Sequence, residues 1–263
     1  MLTIKNLPFL GVVADGVASL ELPPGMTYNR IYLKLGGTTF AKSNISRVVL
    51  KMNGKIFYDI SGTNLDLLND YKGMGLGADY LCIDFIEDKA KTVGGQYIGA
   101  IGTLEGVTSF VMEITIAGAT APTLESWSEV SSPMPLGLIS SLISHTATYA
   151  AAGEFPLVLP HGREAGLLIQ RVLFYHSNMT ELEVKKNGVI IFESMPTAVN
   201  SQIQTCYGRT PQTGLYVYDT IINNDIKQVL DTSNAQSLSY NVTVSAADTI
   251  TVLTEAIADL GKI

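Results

Sequence analysis

The strongest constraint on the fold of this chain is a phrase that it carries twice. Residues 48–58 read VVLKMNGKIFY and residues 182–192 read LEVKKNGVIIF. Asn-Gly supplies the two positive-φ residues of a tight type I′ turn, and apolar runs flank it on both sides. Each copy therefore predicts a β-hairpin, turning at Asn53-Gly54 and at Asn187-Gly188. In the second copy Leu182 and Val184 alternate with Glu181, Glu183 and Lys185, the period-two pattern of a strand with one dry and one wet face. In the first, Val48 and Leu50 take the dry positions, Arg47 and Lys51 the wet ones.

The repetition reaches beyond the hairpin. LELPPG at 20–25 returns as LVLPHG at 157–162, with Leu22 and Leu159 137 apart, whereas the hairpin asparagines are 134 apart. A longer loop near Gly36–Ser43 in the first copy accounts for the difference, and loops absorb such changes at little cost. Thr63 and Thr197, again 134 apart, follow the hairpins and are expected to cap a short helix through their hydroxyls, with Asp66 completing a capping-box arrangement in the first. YLCIDFI at 80–86 aligns with LYVYDTI at 215–221, superposing Asp84 on Asp219, and FVMEITIAGA from Phe110 aligns with YNVTVSAADT from Tyr240 at an offset of 130. Landmarks in one order at slowly drifting offsets indicate a tandem duplication. The expected domains are 1–128 and 137–263, joined by a linker at 129–136 around SSPMPLG.

With 263 residues the chain accommodates two sandwiches and can bury roughly 70–75% of its unfolded surface. Only 16% of residues are charged and the net charge is −7, which fits a folded β protein and excludes a disordered one. The 17 Lys and Arg are scattered without a basic arm, so direct nucleic-acid binding is not expected. Domains of about 125 residues with many short strands and one helix each point to an all-β chain of two jelly-roll or other Greek-key sandwiches. A propeller needs more repeats and an immunoglobulin pair is shorter. Strand order is not legible. Cys82 and Cys206, isolated in so long a chain, read as free thiols. The opening MLTIKNLPFLGVVADG reads as a first strand rather than a signal segment because of Pro8. Val130 to Gly153 lacks any charged residue, but Pro133, Pro135 and many Ser and Thr make it a connection and the next strand, not a membrane span.

Catalytic constellations are absent from the sequence. His145, His161 and His176 have no metal-ligand spacing, and His161 reads as a turn-surface residue. GMGLGA at 73–78 follows the expected helix instead of opening one, so it is a link and not a dinucleotide fingerprint. VGGQYIGAIG from Val93 lacks the Lys-Ser/Thr end of a phosphate loop. Glu125 with Glu129, and Asp84 with Glu113, are carboxylate pairs without evidence of glycosidase spacing. Asn223 to Gln228 offers oxygen ligands but lacks the dense acidic loop of a calcium site, and no metal or cofactor is assigned. Asn44, Asn178 and Asn241 begin N-x-S/T triplets, which are common by chance.

The succession LPPGMTYNRIYLKL, ISRVVLKMNGKIFYDISGTNLDLL and a second copy of the same plan resembles the double-jelly-roll major capsid proteins of tailless icosahedral bacterial viruses, in the adenovirus hexon lineage. The likeness to the small, membrane-containing corticovirus type is strongest over Leu22 to Leu68. It implies a virion protein whose homotrimers form pseudo-hexameric tiles. Neighbouring capsomers, penton and minor capsid proteins and an underlying viral membrane are the implied partners. A duplicated chain lets a trimer offer six similar edges while each half diverges on its surface. Outward Val49 stands where the second copy has Glu183, so Val49 is the candidate interface residue, expected against another element or subunit, and Glu183 is expected solvated or paired. Val49 as an ordinary exposed apolar residue is the plain alternative. The competing function is a two-sandwich carbohydrate-binding or adhesion module using Tyr216, Tyr218 or Trp127 as stacking platforms.

Overall fold

Asn53 and Gly54 have φ of +51° and +79°, and Asn187 and Gly188 have +53° and +77°. These are the left-handed pairs that a type I′ turn demands, and at both turns a Cβ on the glycine would meet open space, so the backbone conformation alone selects it. In the computed structural model, which describes residues 1–160 and 166–262, the two hairpins lie in separate compact units. One unit comprises Met1–Leu142 with Asp259–Gly261, the other Ile143–Ala258 with Lys262.

The first unit contains β1 (Leu2–Lys5), β2 (Gly16–Glu21), β3 (Thr27–Gly36), β4 (Ile45–Met52), β5 (Lys55–Ile60), α1 (Gly62–Tyr71), β6 (Tyr80–Asp84), the one-turn α2 (Val93–Gln96), β7 (Ile101–Gly102), β8 (Phe110–Ile116) and β9 (Thr123–Ser131). Its strands form two sheets, in the orders β1-β9-β3-β6 and β2-β8-β4-β5, with β7 added to β3. This interleaving is a jelly roll. Strict alternation of buried and part-exposed residues along β8 and β9 fixes which face is inward. Tyr28, Phe57 and Phe110 meet in the core, the first and last edge to face at 5.3 Å.

The second unit contains β10 (Leu138–Tyr149), whose first residues belong to the other unit, β11 (Gly153–Leu157), β12 (Leu168–Tyr175), β13 (Met179–Lys186), β14 (Val189–Pro196), α3 (Thr197–Cys206), β15 (Leu215–Asp219), β16 (Leu230–Asp231), β17 (Leu238–Val244) and β18 (Asp248–Asp259). Its sheets run β10-β18-β12-β15 and β11-β17-β13-β14, with β16 added to β12. Every strand of the first unit therefore has its counterpart nine numbers on. Phe174, Tyr216 and Tyr240 form the core, with Tyr218 and Phe192 in edge contact beside them.

The registers make the equivalence residue-specific. Both β5 and β14 carry a bulge against the hairpin partner, at Phe57 and Ile191, so Tyr58 opposes Leu50 as Phe192 opposes Val184. Arg30 opposes Asp84 and Arg171 opposes Asp219, an offset of 141. The spacing thus rises from 137 at Leu22/Leu159 to 141 and drops to 134 at the hairpins. The drift has two opposite sources, a longer connection before β12 and a longer one after β3, and not the single loop expected. Phe110 opposes Met52 and Leu238 opposes Lys186, so the counterpart of Phe110 is Leu238, not Tyr240. A two-residue slip keeps every side chain on its face, which is why sequence similarity could not exclude it.

Two boundary expectations are corrected. Glu129–Ser131, placed in the linker, belong to β9, which stays paired as far as Thr27 opposite Ser131. The helix caps are also displaced. Ser61 caps α1, its Oγ accepting from Asn64 N, and Thr63 lies inside the helix. Pro196 precedes α3 without a side-chain cap, and the Thr197 hydroxyl instead donates to Met179 O and Thr180 O. Pro at the boundary has the extended ψ that a cap position needs, and it frees the threonine to tie the helix to β13.

Candidate assembly surface

The two units share one strand order and differ in how their sheet edges and outward faces are covered. A sheet edge presents unpaired N–H and C=O groups that another strand can join unless something blocks them. Each four-stranded sheet ends in two edges, β1 and β6 and β2 and β5 in the first unit, β10 and β15 and β11 and β14 in the second; β6 with β15 and β5 with β14 are equivalent edges.

The β6 edge is clasped by α1. Asn69, fully buried, donates to Cys82 O at 2.8 Å and accepts from Cys82 N at 2.9 Å, replacing the missing strand at one residue. In the second unit Asn200 and Gln204 of α3 both donate to Val217 O, at 3.0 and 3.1 Å. A helix amide thus saturates the same edge in both copies. Neither Cys82, which burial pushes well above its ordinary range, nor exposed Cys206 forms a disulfide.

The hairpin edge is treated unequally. In the first unit Leu142 lies opposite Tyr58 in parallel, and Ser140 N donates to Gly99 O at 3.0 Å, so Leu138–Leu142 fills the space between β5 and the loop before β7. Lys55 adds a bond from its Nζ to Leu260 O. Tyr58, opposite Leu142, is 4% exposed, and core residue Phe57 is 1% exposed. In the second unit β14 pairs, among the described residues, only with β13, and six of its eight residues are exposed. Val189, Ile190 and Ile191 are 64%, 43% and 41% exposed, the last in the bulge position that Phe57 occupies in the first copy. Gln228, counterpart of buried Gly99 by the register of β7 and β16, is exposed as well.

The outward face of the other sheet shows the reverse. Arg171, Leu173 and Tyr175 of β12 are buried, whereas their counterparts Arg30 and Tyr32 are part-exposed and Lys34 is exposed. An arginine cluster sits at the matching place in each unit. Arg30 binds Asp84 at 2.8 Å and Asp88 at 2.9 Å, with Glu129 at 3.8 Å. Arg171, with no exposed surface, binds Asp219 at 3.1 Å and Glu255 at 2.8 Å. Burial disfavours the Arg30 charge, yet the Asp84 carboxylate and hydrogen bonds to Asp84 and Asp88 outweigh it and hold the guanidinium above its ordinary value. Burial pushes Asp84 up to about 6 against the pull of Lys72 and Arg30. Sequence comparison aligned the aspartates; the arginines went unseen because their offset differs from that of every landmark used.

The residues singled out from the sequence are dispersed. Asn53 and Asn187 do more than turn. Asn53 accepts from Thr108 N and Ser109 N and donates to Gly106 O; Asn187 accepts from Gln236 N and Ser237 N and donates to Asn234 O. Asn44 and Asn178 likewise tie loops, to Ala117 O and Ala247 O. Val49, expected against another element or subunit, is 3% exposed and lies between Asp59 of β5 and Glu113 of β8, which pair with Arg47 and Lys51. Glu183 accepts from Asn241 and pairs with Lys185. Tyr216 and Tyr218 belong to the core, which removes them as sugar platforms, and part-exposed Trp127 lies beneath Lys5.

Each carboxylate weighed as catalytic holds a cation: Glu125 with Lys5, Glu129 and Asp84 with Arg30, Glu113 with Lys51. His176 accepts from Met179 N through Nδ1, and burial lowers its pKa; His161 lies outside the described residues. In 223–228 the Asn223, Asn224 and Asp225 side-chain oxygens accept from Asp225 N, Arg209 and Lys227 N, and no metal-binding group forms among the described residues.

Residues 3–131 match the family described as viral coat protein P2 N-terminal domain, and residues 139–260 match viral coat protein P2 C-terminal domain. Among solved structures, the chain is similar to the major capsid protein P2 of bacteriophage PM2, with a TM-score of 0.90 at 19% identity, covering 98% of this chain and 97% of that one. The STIV major capsid protein gives a TM-score of 0.72 at 16% identity, covering 98% and 96%. The PBCV-1 virus capsid gives 0.63 at 12% identity, covering 97% and 93%. No curated protein sequence matches significantly.

Proposed function

The chain belongs to the viral coat protein P2 family and is thus a structural subunit of a virion capsid and not an enzyme, and from this premise we propose its mode of assembly. Three copies close into a plate of six sandwiches with a near-hexagonal outline, and such plates tile an icosahedral shell. The observation that carries this reading is the identical strand order of the two units, which lets a threefold assembly present six similar edges. Contacts of this kind bury on the order of 2,000 Å² or more per interface. The net charge of −7 makes direct genome neutralisation unfavourable, so a membrane or other virion proteins lie between shell and nucleic acid; penton and minor capsid proteins complete the shell.

Analytical ultracentrifugation of the purified protein is expected to give three times the monomer mass, and electron microscopy particles of hexagonal outline. A stable monomer or dimer at all concentrations would overturn the trimer. Salt-sensitive DNA binding would overturn the charge argument.

A further inference from the structure

The two units are alike in topology yet unlike in what they leave bare. In the first, the hairpin edge is covered by Leu138–Leu142, and that segment is the beginning of the next unit's first strand, β10. In the second, the equivalent edge, β14, has no second strand paired to it among the described residues. The chain contains one other first strand. It is β1, the counterpart of β10, which pairs only with β9 and whose Leu2, Thr3 and Lys5 are exposed.

We propose that β1 of one copy lies parallel alongside β14 of the next, repeating between chains the covering of β5 by β10. This rests on the trimeric reading above and specifies its contact. Several observations converge on it. Both strands have one unpaired side, the condition for strand addition. Exposed Leu2 on β1 and exposed Val189, Ile190 and Ile191 on β14 supply apolar surface. Ile191 is open at the position where Phe57 is sealed, and Gln228 is open where Gly99 accepts the bond from Ser140. The more open outward face of the first unit, with Arg30, Tyr32 and Lys34 on β3, lies in the sheet that β1 ends, one strand (β9) away, whereas the bare edge belongs to the second unit. Two unlike bare surfaces on one chain make a heterologous contact, and a heterologous contact that closes makes a ring.

The test uses full-length protein. Ile191→Glu changes an exposed side chain, so the monomer is expected to keep its circular dichroism and melting temperature while sedimentation mass falls threefold. Val158→Glu, at an exposed site outside β14, is expected to leave the trimer intact. In a Cys206→Ser background, Thr3→Cys combined with Ile190→Cys, or one step along with Ser194→Cys, is expected to give covalent trimers on oxidation, and none of the single substitutions is. If the parent protein trimerises but Ile191→Glu does so equally and neither double variant cross-links, the pairing is wrong while the trimer stands. If single-cysteine variants cross-link to dimers, the contact is isologous and the proposal fails. A parent that never trimerises sinks the underlying reading instead.

Discussion

Arg171 shows what one residue can be made to hold. It is fully buried, and the carboxylates of Asp219 and Glu255 reach it from the strands on either side, so it staples three neighbours of one sheet. Removing one partner of such a cluster leaves uncompensated buried charge. Arg171→Met is therefore expected to cost about 3–5 kcal/mol by denaturant melting at neutral pH. Asp84 in the first unit gives a pH signature of its own. Its folded pKa is raised to about 6 by burial, above the unfolded carboxylate value, so between roughly pH 4 and 6 the folded state binds a proton that the unfolded state lacks. The stability contributed by this group is complete below the unfolded value and fades as the pH rises through about 6. Asp84→Asn should flatten that part of the melting-temperature profile; an unchanged slope would contradict the assignment. Neither cluster was legible in the sequence, because an arginine in a strand carries no sign of the two strands that will flank it.

At the scale of elements, the hairpins were the most legible feature, since Asn-Gly states its own backbone conformation. What Asn53 and Asn187 bind was not legible, because their acceptors and donors lie about fifty residues further along the chain. Asn187→Gly keeps the left-handed turn but drops the amide that holds Asn234, Gln236 and Ser237, so a loss of about 1–3 kcal/mol is expected, larger than the turn conformation alone explains. Stability equal to the parent would show that the amide bonds merely replace water. The helix caps failed for a related reason. Thr63 and Thr197 sit near a boundary, but the first cap was taken by Ser61 two residues earlier, and the second was displaced by Pro196 and the hydroxyl's tie to β13. The choice between neighbouring hydroxyl residues depends on where the strand before the helix ends, which periodicity fixes only within a residue or two.

For the whole molecule, duplication was readable because cores diverge slowly: Val48 and Leu50 give way to Leu182 and Val184, all without exposed surface. Strand order was not readable, since pairing β9 with β1 and β3 is a relation between distant segments. Which of the two expected contacts Val49 makes was not legible for the same reason, since the ion pairs that flank it belong to neighbouring strands of its own sheet, and the open β14 looked in sequence like its covered twin. The segment Leu138–Leu142 has one more consequence. Because it belongs to the same polypeptide as the edge it fills, its local concentration never depends on dilution, so β5 is covered as the chain folds. A strand supplied by a second molecule would carry the entropy cost of association; this one does not, so β5 is covered at any protein concentration.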